Sequence, residues 1–235
     1  MTTTDQKTGA WCGFVFAALL GAGLLTAGFV PPPSPSLGAD EVAAIYQSHT
    51  ALIRIGMLLA VLSNVFYLPF IASISVQMRR MQGVGLTPVY LQLGAGSIGT
   101  VLLLLPELGF LLTAFRPERS PQLTMLLNDA AWLFFLTPFP TFVAQNCGIA
   151  WGILGDQRTQ PVFPRWVAFL NLWTALLLIP AGLAFVFKTG PFAWNGLFSF
   201  WLPAGVFFAW LLVMASLLLK SVDEADAPVL HAKRA

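Results

Sequence analysis

Apolar residues run almost unbroken through six stretches of this sequence, residues 11–30, 51–76, 89–115, 122–154, 166–187 and 196–219. A bilayer core of about 30 Å takes about twenty helical residues to cross, so each run is long enough to span it. A soluble fold could not bury them all. Only 9% of the 235 residues are charged and 57% are hydrophobic, where a soluble domain carries about 25% charge. Mean hydropathy is +0.77. The expected fold is all-α, a polytopic membrane protein with six transmembrane helices. Residues 1–10 form a short polar segment, 11–219 the membrane domain, and 220–235 a charged tail expected to be disordered. The expected location is the cell membrane.

The same numbers exclude several functions. A net charge of +2 with no basic cluster gives nucleic acid nothing to bind. Cys12 and Cys147 have no CxxC neighbour and the chain has two histidines, so no metal site, haem or other cofactor is expected. No phosphate loop, serine-nucleophile motif or HExxH is present.

Local signals organise the runs. Residues 11–30 are long for a signal-peptide core and follow a weakly basic start, so a membrane helix is expected there in preference to a cleaved leader. The PPPSPS stretch at 31–36 cannot be helical and reads as a connector. Asp40 and Glu41 suit the first turn of a helix that is expected to continue unbroken into the second span. The fourth run, at about 50 Å, is too long for a straight crossing, and Pro138 and Pro140 lie near its centre. A bend or unwound turn is expected at 137–141. Lys7, Arg79, Arg80, Arg158, Arg165, Lys220, Lys233 and Arg234 fall on one side, and Arg116, Arg119 and Lys188 on the other. This bias predicts that both termini are cytoplasmic.

Three residues that are formally charged at pH 7 lie inside the runs: Arg54, Glu107 and Asp129. A charge at bilayer depth costs about 2.5 kcal/mol or more unless it is paired, protonated or hydrated. Spacing puts all three in the outer half, with His49 and Asn128 beside or above them. Arg54 is expected within salt-bridge reach of at least one acid. Structural pairing would then account for two of the charges. The second carboxylate would have to carry a proton or meet a cation. These five residues are the candidate ligand- or ion-binding set. Asn64 and Asn171 read as interhelical hydrogen bonds, Gln145 and Asn146 as a vestibule lining or packing, and Trp132, Phe134, Phe135, Phe139 and Phe142 as packing.

Residues 38–80, with Arg54-Ile55-Gly56 near the start of the second span, resemble a pattern in a family of uncharacterised bacterial six-helix integral membrane proteins. The resemblance covers about a fifth of the chain. It implies the six-helix topology and no activity.

The function expected from these residues is small-molecule or ion/proton-coupled transport or binding at a polar cavity in the outer half. The alternatives are a non-catalytic accessory subunit, which would add other membrane subunits to the bilayer as partners, and a lipid-modifying membrane enzyme. The last has no visible nucleophile–base pair to support it.

Overall fold

The computed structural model describes the backbone of residues 3–136 and 138–232 and the side chains of 4–136 and 138–223. The helices are α1 (Thr3–Thr26), α2 (Ala39–Ser48), α3 (Thr50–Met78), α4 (Leu86–Phe115), α5 (Pro121–Leu136), α6 (Phe139–Gly155), α7 (Trp166–Leu178) and α8 (Leu202–Ala232). No strand occurs among the described residues. Among the described residues, six helical segments are long and apolar enough to cross a membrane: α1, α3, α4, the α5–α6 pair, α7 with the turns after it, and α8 with the turns before it. The chain is a multi-pass membrane protein.

Each span packs on the next in chain order, and α8 returns to α1, so the bundle closes on itself. Along α3 the faces alternate at helical spacing. Met57, Ala60, Asn64 and Tyr67 point inward, while Leu58, Leu62 and Val65 are exposed as a lipid-facing surface. The closest approach is between α1 and α3. A Cβ on Gly23 would lie 2.6 Å from the Gly56 carbonyl oxygen, and one on Gly56 would meet the Gly23 carbonyl in turn. Small residues let these backbones touch. Gly28, at φ +71°, ends α1. Its N–H donates to Leu25 O and that of Phe29 to Leu24 O, both at 3.0 Å, a Schellman turn that needs a left-handed residue.

The helices are less continuous than the sequence leads one to expect. The run from Asp40 into the second span breaks at His49, whose backbone (φ −120°, ψ 19°) is not helical. This frees α2 to pack against α5. The fourth run is divided: α5 ends at Leu136 and α6 begins at Phe139, with Thr137 outside the described residues. After α7 the chain tightens into a 3-10 helix over Ile179–Phe185, where Pro180 supplies no backbone donor. A π-helical turn, Leu197–Trp201, precedes α8. The helix α8 runs on to Ala232, through most of the tail expected to be disordered. Residues 233–235 lie outside the described residues.

Arginines cap helices at opposite ends of the bundle. Arg54 serves α4, as described below. Arg165 Nη1 donates to Ile153 O at 2.6 Å and Leu154 O at 2.7 Å, in the last turn of α6. Beside it, buried Asp156 accepts from the backbone N–H groups of Gln82, Arg158 and Val162 and ties two loops together.

Candidate functional site

Helices α3 and α4 run antiparallel, and their polar side chains sort into tiers by depth. The first tier lies at the end that carries α2. Arg54 Nε and Nη2 donate to Ala114 O at 3.1 and 2.9 Å, and Nη2 also reaches Phe115 O at 3.0 Å. These carbonyls belong to the last turn of α4, where no intrahelical N–H is left to serve them. The guanidinium also meets the negative end of the helix dipole. Arg54 therefore makes no ion pair with Glu107 or Asp129, contrary to the expectation from depth alone. The α4 terminus gives the guanidinium fork its acceptors, and Glu107 is eight residues deeper, about 12 Å.

The other members of this tier are held separately. Tyr46 donates its hydroxyl to Asn128 Oδ1 at 3.0 Å. Burial pushes the Tyr46 hydroxyl up from its ordinary pKa, with the Thr113 hydroxyl opposing the shift, so it remains a donor. Asn128 Nδ2 donates to Asp129 Oδ1 at 3.4 Å. Exposed His49 has its Nδ1 2.8 Å from Ser48 Oγ, and it edges a recess formed with Gly28, Pro31 and Pro33. Of the five expected site residues, only Asn128 and Asp129 are joined directly.

The second tier is interior. Glu107 is 1% exposed, and Asn64 Nδ2 donates to its Oε2 at 2.7 Å. Glu107 Oε1 and Asn64 Oδ1 are both buried and have no hydrogen-bond partner. Asn64 is indeed an interhelical hydrogen bond, as its sequence position suggests, but its partner is the buried acid. A depth count along each helix cannot reveal that. Once Arg54 is matched with the last turn of α4, however, antiparallel pairing sets Asn64 opposite Leu104, within a turn of Glu107.

A third tier continues away from α2. Tyr67 follows Asn64 by one helical turn. Its hydroxyl donates to Gln145 Oε1 at 2.9 Å, Gln145 Nε2 donates to Gln92 Oε1 at 3.4 Å, and Gln92 Nε2 donates to Ser75 Oγ at 2.8 Å and Ile71 O at 2.9 Å. All four side chains are buried. Gln145 is thus a core residue and lines no vestibule. Beyond it, Gln77 Nε2 donates to Gln6 Oε1 at 3.2 Å. Buried polar side chains therefore extend from Glu107 toward the end of the bundle opposite α2.

An apolar cavity of about 90 Å³ lies beside this column. Leu103, one turn before Glu107 on α4, forms part of its wall with Phe135, Phe139, Phe142, Phe200 and Phe207. Its boundary coincides with the irregular segments at Pro138, Ile179–Phe185 and Leu197–Trp201. Ser199 is its polar exception, and that hydroxyl donates to Phe192 O at 2.8 Å. Trp132 is fully buried among Phe29, Phe110, Trp194 and Phe200.

Chemically, this arrangement offers, among the described residues, one carboxyl deep in the bundle, held by an amide with no arginine or lysine against it. Comparison of the chain with protein-family models, curated proteins and solved structures gave no match.

Proposed function

We propose that this protein is an ion-coupled transport or small-molecule binding protein of the cell membrane, with Glu107 as its ionisable centre. The observation that carries the reading is the burial of Glu107 against Asn64 without a compensating cation. A carboxyl at that depth is costly. A purely structural role would be served at lower cost by an ion pair with Arg54, and Arg54 is engaged elsewhere. The polar side chains from Tyr67 to Gln92 give a direction from Glu107 toward the end opposite α2, and the apolar cavity beside Leu103 offers room for a small hydrophobic ligand.

In this reading both termini are cytoplasmic, by the eight-to-three bias of Lys and Arg between the two sets of loops. We take the fourth span to bend where α5 gives way to α6, as Pro138 and Pro140 lead one to expect, which would let the two helices move separately next to the cavity. A reporter active only in the cytoplasm should work when fused after Arg80 and fail when fused after Arg119. The reverse pattern would invert the orientation.

Function is tested by reconstitution into vesicles with a trapped pH-sensitive dye and an imposed membrane potential. Wild-type vesicles should change internal pH faster than empty ones, or do so when a cation or candidate solute is added. Glu107→Gln should abolish the difference while the protein still elutes as one species. Wild-type vesicles indistinguishable from empty ones across cations and solutes would defeat the reading.

A further inference from the structure

We propose that Glu107 is a proton-binding carboxyl that Asn64 holds in the acid form, the two side chains closing a cyclic acid–amide pair. The inference rests on the reading of Glu107 as the ionisable centre and names the cation that the centre takes.

Count the donors and acceptors. The Asn64 amide has two N–H donors and one oxygen. One donor goes to Glu107 Oε2 at 2.7 Å and the other to Ala60 O at 3.2 Å. Both donors are used, and two oxygens are left over: Asn64 Oδ1 and Glu107 Oε1, both buried and unpartnered. An ionised carboxylate only accepts, so it can satisfy neither of them. A carboxylic acid has one O–H. A proton on Oε1 makes that atom a donor and gives Asn64 Oδ1 the donor it lacks. One proton from water satisfies two buried oxygens, and its return to water restores the carboxylate. No other bond changes.

The amide orientation is fixed independently of the acid. Reversing it would turn Asn64 Oδ1 toward the Ala60 and Val61 carbonyls, which now accept from Nδ2. Beyond the Asn64 N–H itself, no cation among the described residues faces the carboxyl to hold the ionised form. From α3 the one charged side chain on this stretch, Arg54, is bonded to the α4 carbonyls. From α2 come Tyr46, bonded to Asn128, and exposed His49, with Asp40 and Glu41 at the far end of that helix. The α5 helix contributes Asp129, bonded to Asn128, and α6 contributes Cys147. A hard metal cation would need about six oxygen ligands, and this pair leaves two oxygens free.

The test is infrared difference spectroscopy on the full-length protein in lipid, comparing wild type with Glu107→Gln and Asn64→Leu. Gln at 107 can form the same two-bonded pair with Asn64, as amide with amide, so this variant should fold and serve as the reference. At neutral pH the wild type should show a protonated-carboxyl carbonyl band that Glu107→Gln lacks. The band should shift in Asn64→Leu, and added sodium should leave it unchanged. Absence of a Glu107 acid band at neutral pH would overturn the proposal. A band indifferent to Asn64→Leu, or one displaced by sodium, would do the same. Failure here is separable from failure of the transport reading. Vesicle flux without an acid band sinks the proton pair alone, and an acid band without flux sinks coupled transport alone.

Discussion

Arg54 is a membrane-embedded cation whose partners are backbone carbonyls. Its three hydrogen bonds to Ala114 and Phe115 are charge-assisted and sit at a helix C-terminus. Arg54→Ala should therefore destabilise the protein by about 2 kcal/mol, read from thermal or denaturant unfolding in detergent. Adding Glu107→Gln should not recover any of that loss. Tyr46 makes a second residue-scale prediction. Burial holds its hydroxyl neutral to higher pH than in the unfolded chain, so its contribution is fully present below the ordinary tyrosine pKa of about 10 and declines as pH rises above it. Tyr46→Phe should cost about 1 kcal/mol at neutral pH and make the alkaline loss of stability shallower. An unchanged alkaline limb would remove Tyr46 from the account. At this scale the sequence reveals which residues are ionisable and how deep they lie, because rise per residue converts number into depth. It does not reveal azimuth or helix register. Arg54 and Glu107 look like a pair on depth alone, and only the packed register shows that one serves a helix end and the other an amide.

At the scale of the element, the six spans are legible because a bilayer leaves a long apolar run no alternative to helix. The breaks are legible only where proline marks them. Pro138 and Pro140 mark the stretch where α5 ends at Leu136 and α6 begins at Phe139, whereas the break at His49 and the π-helical turn at Leu197 lie where α2 meets α5 and where the turns meet one another. The α1–α3 crossing depends on two glycines, and the sequence shows their size but not that they meet. Gly56→Val should force the helices apart and cost about 1–3 kcal/mol or more. Gly94→Ala, whose added Cβ would meet nothing within 4 Å, should be neutral or stabilise by up to about 1 kcal/mol. Equal effects of the two substitutions, in the same unfolding measurement, would contradict the close crossing.

Over the whole molecule, a ring of spans in chain order encloses a column of buried polar side chains. Arg54 is at one rim and Asn64–Glu107 is within. Composition makes the spans predictable, since residues with little charge must face lipid outside and one another inside, but not the order in which they close into a ring. It leaves the column hidden, because Tyr67, Gln92 and Gln145 are scattered over three helices and become neighbours only on closure. The central claim is that Glu107 is held by Asn64 and not by Arg54. Two double-mutant cycles on stability test it most directly, one with Asn64→Leu and Glu107→Leu, the other with Arg54→Leu and Glu107→Leu. The first cycle should show a coupling of about 0.6–1.7 kcal/mol, with the double variant recovering part of what each single loses as both polar partners leave together. The second should be additive to within about 0.5 kcal/mol. Additivity in the first cycle with strong coupling in the second would contradict the account.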